Sequence, residues 1–172
     1  MIKTIKTTGE ICMITFSDIA PSDAKVLAEL DKECFSVPWS EKSFSNEAEN
    51  QSAIYVIAKK DNTIVGYAGL WQVLDEGQIT NIAVKKDFRR KKIASSMICE
   101  LIKRAIQNNI SRLTLEVRKS NTAAIALYTS CGFQPVGERK NYYHSPTENA
   151  VLMDLNISKN LSDFCERTEY NG

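Results

Sequence analysis

Residues 78–106 read Gln78-Ile79-Thr80-Asn81-Ile82-Ala83-Val84-Lys85-Lys86-Asp87-Phe88-Arg89-Arg90-Lys91-Lys92-Ile93-Ala94-Ser95-Ser96-Met97-Ile98-Cys99-Glu100-Leu101-Ile102-Lys103-Arg104-Ala105-Ile106. The hydrophobic period changes inside this stretch. Gln78–Val84 is rich in strand-forming residues and predicts a β-strand. Ile93, Ala94, Met97, Ile98, Leu101, Ile102, Ala105 and Ile106 then recur at helical spacing, the clearest amphipathic helix in the chain. Between them, the eight residues 85–92 hold six basic side chains and one acidic one. Cations in the first turn oppose the helix dipole, so helix stability does not explain them. The unpaired N–H groups of a helix start suit a phosphate, and an anionic ligand would explain the charge. A solvated basic loop is the plain alternative. A nucleic-acid patch is a third reading, without aromatic interleaving or a recognised binding module to support it.

Working outward, strand and helix patterns alternate. Ile11–Phe16 suits a strand. Pro21-Ser22-Asp23 starts a helix that carries Val26, Leu27, Leu30 and Phe35, and Ser40 is placed to cap a second. Ala53–Ala58 and Ile64–Trp71, joined at Asp61-Asn62, predict a hairpin. Leu113, Leu115 and Val117 alternate as a strand. Ala123–Cys131 is helical, with Gly132 as its stop. Gln134–Arg139 and Ala150–Leu155 complete the set. The expected fold is α/β: a mixed central sheet of six or seven strands flanked by about four helices, with a strand–helix–strand crossover at its centre. The expected organisation is an N-terminal extension (1–13), one domain (14–155) and a polar C-terminal tail (156–172).

The 172 residues, 43% of them hydrophobic, suffice for one core. With 22 basic and 21 acidic residues the net charge is +1, which argues against bulk electrostatic binding to nucleic acid. No apolar run reaches the ~20 residues that cross a bilayer, and the first residues lack a signal peptide's apolar centre. A cytoplasmic protein without membrane contact is expected. The five cysteines, at 12, 34, 99, 131 and 165, form no Cys-x-x-Cys pair, so reduced thiols are expected and no metal. His144 is the single histidine, which excludes a two-histidine metal site. It reads as part of a surface loop.

Two further segments bear on chemistry. Glu116 stands in the apolar strand Leu113–Arg118, where a carboxylate must be paired or have a raised pKa. Ser120-Asn121-Thr122 opens a small-residue helix that carries Tyr128 and ends at Gly132-Phe133. Taken one at a time, Glu116 reads as a structural ion pair and Tyr128 as a core aromatic.

Together these segments resemble the GNAT superfamily of acetyl-CoA-dependent N-acetyltransferases. Its helix-start loop, [Arg/Gln]-x-x-Gly-x-[Gly/Ala], is matched by Arg89 and Ala94. Its Asn-x-x-Ala-x-x-Leu-Tyr-x-x-x-Gly-Phe segment is matched by Asn121, Ala124, Leu127, Tyr128, Gly132 and Phe133. Pro38-Trp39-Ser40-Glu41, Asn81–Val84, Leu115–Arg118 and Asn141-Tyr142-Tyr143 are similar to the bacterial ribosomal-protein alanine N-acetyltransferases within it. The resemblance spans roughly Ile14 to Leu155. It implies acetyl-CoA as co-substrate and a ribosomal-protein N-terminus as acceptor, with no membrane or direct nucleic-acid partner, in a monomer or weak dimer. It also implies direct attack of the amine on the thioester, with Glu116 as general base and Tyr128 as general acid. Backbone N–H groups of Ile82, Ala83 and Val84 would polarise the carbonyl. Arg89, and the loop Arg90, Lys91, Lys92, Ile93, Ala94 and Ser95, would hold the pyrophosphate. Asn121 would touch the pantetheine or the far side of the cofactor. Trp39, Tyr142 and Tyr143 would wall a peptide channel, although Trp39 is as readily a core residue.

An amine's pKa bears on the acceptor. An α-amine near 7.7–8.0 is about 10–20% neutral at pH 7, whereas a lysine near 10.4 is neutral about once in 2,500. One modest base such as Glu116 suits the α-amine better. Lys92 departs from the family pattern by replacing the first loop glycine. Lysine there is expected to need a negative φ, with its side chain off or onto the phosphates. Two alternatives follow: an acetyltransferase for a small amine, and a catalytically silent binding module in which Lys92 blocks the cofactor.

Overall fold

The structure, a computed structural model, describes residues 2–7 and 10–157, with side chains from Met13 onward. Eight strands form one sheet in the order β1-β2-β3-β4-β5-β6-β8-β7. The strands are β1 (Ile2–Thr7), β2 (Glu10–Ser17), β3 (Ala53–Lys60), β4 (Thr63–Val73), β5 (Glu76–Val84), β6 (Arg112–Arg118), β7 (Gln134–His144) and β8 (Thr147–Asn156). The helices are α1 (Ala24–Cys34), α2 (Glu41–Glu49), α3 (Ile93–Gln107) and α4 (Thr122–Ser130). The expected mixed sheet is β2–β8. The N-terminal segment, expected to be a loose extension, adds an eighth strand: β1 pairs antiparallel with β2 from Ile2↔Thr15 to Thr7↔Glu10. The expected polar tail lies outside the described residues beyond Ile157, itself buried, whose N–H donates to the Ser111 carbonyl at 2.8 Å.

Alternation along β3 shows how the sheet is covered. Val56 and Ala58 face the core under α3, with Met97, Ile98, Leu101 and Ile102. Tyr55 and Ile57 face the core under α1 and α2, with Leu27, Leu30 and Phe44. Both faces of the strand are dry, which is why its sequence is an unbroken apolar run. Asp61 and Asn62 turn the β3–β4 hairpin with φ of 49° and 63°, a left-handed pair that suits the twist of the flanking strands. Ser40 caps α2 as expected, its hydroxyl accepting from the Ser43 N–H at 3.1 Å. Among the described residues no helix is long and apolar enough to cross a membrane.

One break in the sheet makes the site. Every neighbouring pair is antiparallel except β5 and β6, which run parallel and pair only over Glu76↔Arg112, Gly77↔Leu113 and Gln78↔Thr114. Beyond Gln78 they part: β5 stays with β4 as far as Gly66↔Val84, and β6 stays with β8 as far as Arg118↔Ala150. A bulge at the parting, where the β4–β5 register shifts between Gly69 and Leu70, gives β5 one extra residue. Bulges increase local twist and bend a strand, and here the bend turns β5 away from β6.

Candidate active site

The parted strands enclose a cleft of about 580 Å³, with Thr80, Asn81 and Ile82 on one side and Leu115, Glu116 and Val117 on the other. Trp39 and Trp71 close one end, Asn121, Ala124 and Tyr128 another, and Tyr142, Tyr143 and His144 form a rim. The two groups proposed for proton transfer thus line one cavity.

Glu116 points into the cleft from the middle of β6. Its side chain is 13% exposed, and Oε1 lies 3.3 Å from Arg139 Nη1. Gln78 Nε2 donates to Oε2 at 3.1 Å, and the Tyr143 hydroxyl donates to the Glu116 carbonyl at 3.1 Å. Of the two states open to a carboxylate in an apolar strand, the structure shows the paired one. Arg139 and Gln78 escape the sequence reading because a lone charge or amide on a strand reads as solvent-facing.

Tyr128 is held by the end of its helix. The N–H of Phe133 returns to the Tyr128 carbonyl at 3.0 Å, Gly132 takes φ 92°, and the two rings meet edge to face at 5.8 Å. This is a left-handed helix stop with its hydrophobic contact. Burial pushes the phenol above its usual 10.0, with smaller contributions from Tyr143 and Cys131, so it keeps its proton through the neutral range. At the other end of α4, Asn121 Oδ1 accepts from the Ala124 N–H at 3.1 Å. The side chain expected to meet the cofactor is therefore also the helix cap.

Two aromatic groups line the cleft. Trp39 meets Phe44 at 5.7 Å and Trp71 at 6.0 Å between ring centroids, so it is both a partner of the α1–α2 core and a cleft residue. Trp71, unremarked in the sequence, is 39% exposed and donates its indole N–H to Glu47 at 2.6 Å. Tyr142 and Tyr143 pack edge to face at 5.1 Å, beneath the Arg139 and Arg118 guanidinium groups respectively. They reach the rim because β7 bulges at Asn141, φ 51°, between the registers of Arg139 and Tyr143. The same bulge lets the strand continue to His144, which is an exposed strand end on the rim rather than part of a loop.

The basic loop departs from expectation at Lys92. Its φ is 57° and ψ 11°, the left-handed region, where the sequence reading required a negative φ. Arg90 is left-handed as well, φ 62°. Two such residues in a strand-to-helix turn cost strain, and they persist because the anchored strand and helix fix the path between them. Lys92 thus keeps the backbone route a glycine would take. Arg89 anchors the turn: Nε donates to the Val84 carbonyl at 3.1 Å and Nη2 to Cys34 Sγ at 3.4 Å. Lys91 lies 5.2 Å from the Phe88 ring, and Lys85, Lys86 and Arg90 form no ion pair among the described residues. Among the described residues no side chain caps α3. The Ser95 hydroxyl donates to the Lys92 carbonyl at 2.8 Å, next to Ala94 and the buried Ile93. A helix start without a side-chain cap among the described residues, left-handed turns and clustered cations together fit a diphosphate. On β5, the edges of Ile82, Ala83 and Val84 that face β6 have no strand partner among the described residues.

The chain belongs to a class: the acetyltransferase (GNAT) family, whose model matches residues 24–133. It is similar to the ribosomal protein bS18-alanine N-acetyltransferase of Salmonella typhimurium, 36% identical over 149 residues, which are 85% of this chain and 99% of that relative. The solved ribosomal-protein-S18-alanine N-acetyltransferase from Escherichia coli is 33% identical with a TM-score of 0.78, covering 84% of this chain and 94% of that one. Arabidopsis thaliana NAA60, solved in complex with acetyl-CoA, shares the fold at 20% identity, with a TM-score of 0.78 over 84% and 99% of the two chains.

Proposed function

We propose that this chain transfers the acetyl group of acetyl-CoA to a protein N-terminal α-amine, with the N-terminal alanine of ribosomal protein bS18 as acceptor. The observation that carries this reading is the single cleft lined by Glu116, Tyr128 and an aromatic wall. The relatives named for that substrate support the choice of acceptor. Acetyl-CoA supplies an activated thioester. The loop from Arg90 to Ser95, with Arg89 bracing it, binds the diphosphate, and Asn121 contacts the adjoining arm. Backbone N–H groups of Ile82–Val84 polarise the carbonyl, as an oxyanion site does. Glu116 takes a proton from the attacking amine, directly or through one water. Tyr128 holds its proton until the sulfur leaves; the apolar surroundings that raise the phenol also raise the basicity of a thiolate. Trp39, Tyr142 and Tyr143 wall the peptide channel. The chain works in the cytoplasm, as a monomer or weak dimer.

The test is mass spectrometry of a peptide that begins with alanine and contains an internal lysine, incubated with acetyl-CoA. One acetyl group on the α-amine is the expected product. No mass gain, or acetyl on the lysine side chain alone, contradicts the reading.

A further inference from the structure

Asp31 occupies a place where helical spacing calls for an apolar residue. It lies on the inward face of α1 with Leu27, Ala28 and Leu30, and it is fully buried. Among the described residues no cation pairs with it. Its carboxylate is held by two donors: the Trp39 backbone N–H reaches Oδ2 at 2.6 Å, and the Tyr67 hydroxyl donates to Oδ1. Tyr67 also accepts from Asn81 Nδ2 at 3.4 Å. An apolar residue of similar size would fill this place without the desolvation cost of a carboxylate. Core packing therefore does not account for Asp31, and what its partners do matters more.

Both ends of this chain of hydrogen bonds lie in the cleft, and its middle does not. Trp39 and Asn81 line the cavity, while Asp31 and Tyr67 stand behind them. The segment that carries Trp39 is otherwise loosely tied. Phe35 N–H closes α1 on the Asp31 carbonyl, and Ser40 begins the cap of α2. From Ser36 to Trp39, the bond to Asp31 is the one backbone N–H bond among the described residues. Asn81 sits at the β5 bulge, next to Ile82. The tie of the loop at residues 89–95 to α1 is at Cys34, which Arg89 Nη2 reaches at 3.4 Å, one turn beyond Asp31.

We propose that Asp31 is a positioning residue that fixes the Trp39 wall against the Asn81 floor, with Tyr67 as the link, so that acceptor binding depends on it and acetyl-CoA binding does not. This rests on the acceptor reading given above. The experiment is steady-state kinetics with an alanine-starting peptide and acetyl-CoA, on wild type, Asp31→Asn, Tyr67→Phe, Trp39→Ala and the double variant Asp31→Asn/Trp39→Ala.

Loss of a charge-assisted hydrogen bond predicts a peptide KM about tenfold or more higher in Asp31→Asn, with the acetyl-CoA KM unchanged. Tyr67→Phe keeps the ring and loses the hydroxyl, so it gives the same selective effect at smaller size. The double variant falls short of the product of the two single effects, because Asp31 acts in part through that wall. Should Asp31→Asn fail to fold, Tyr67→Phe decides by the same selectivity. Equal changes in both KM values, or an unchanged peptide KM in a folded variant, overturn the proposal and leave the acceptor reading standing. No transfer by wild type overturns both.

Discussion

Lys92 puts the tension between sequence pattern and backbone into one residue. Glycine is usual at that position because it takes a left-handed φ without steric cost, and Lys92 takes φ 57° regardless. Replacing it by glycine relieves that cost, whereas alanine keeps it. Lys92→Gly is therefore expected to be about 1 kcal/mol more stable than Lys92→Ala by urea denaturation. Equal midpoints would contradict the strained turn. For the chemistry, Glu116→Gln and Tyr128→Phe should each lower kcat by about 10²–10⁴-fold, with acetyl-CoA affinity by calorimetry nearly unchanged. Wild-type rates in both variants would remove the assigned roles. That Glu116 and Tyr128 line one cleft follows the expectation that the family resemblance implied. Asp31 was not legible, although a carboxylate in the stripe Leu27, Leu30, Asp31, Cys34 was a signal available in the sequence. Gln78 and Arg139 become visible only when β5 and β7 are brought against β6.

At the scale of elements, the junction of β5 with α3 was readable because the hydrophobic period changes there and charge crowds the gap. The full extent of β7 was not. Its residues are exposed almost throughout, so no alternation marks its continuation to His144. The pairing of β1 rests on main-chain hydrogen bonds at a sheet edge, which leave little trace in side-chain pattern. The turn from β6 into α4 is fastened by Glu148, which accepts from the Ser120 N–H and from Arg118 Nη1 at 3.3 Å. The Ser120 N–H, and then Arg118, hold this carboxyl below its usual 4.5. A carboxyl depressed in the folded state adds stability that is complete above its unfolded value and is lost as pH falls through the folded one. Glu148→Gln should therefore lower the Tm at about pH 7, and the gap from wild type should close on acidification below 4.5. A gap independent of pH would show that the charge contributes nothing.

Among the described residues the molecule is one sheet, its central strands covered on both faces and parted at a seam between β5 and β6. Local pattern predicted the strands and helices, and the family resemblance supplied their arrangement. The seam itself was not legible. It arises because β4 holds β5 and β8 holds β6, each over a longer register than the three residue pairs that join β5 to β6. That geometry places Glu116 and Tyr128 around one cavity; residues 83–95 are not among those that line it. The most direct test is a crystal of this protein soaked with acetyl-CoA. Density for the diphosphate against the main-chain N–H groups of residues 90–95, with the thioester in the seam between Ile82–Val84 and Tyr128, is the predicted result. A pantetheine arm lying outside the seam, or a diphosphate bound away from that turn, would contradict the account.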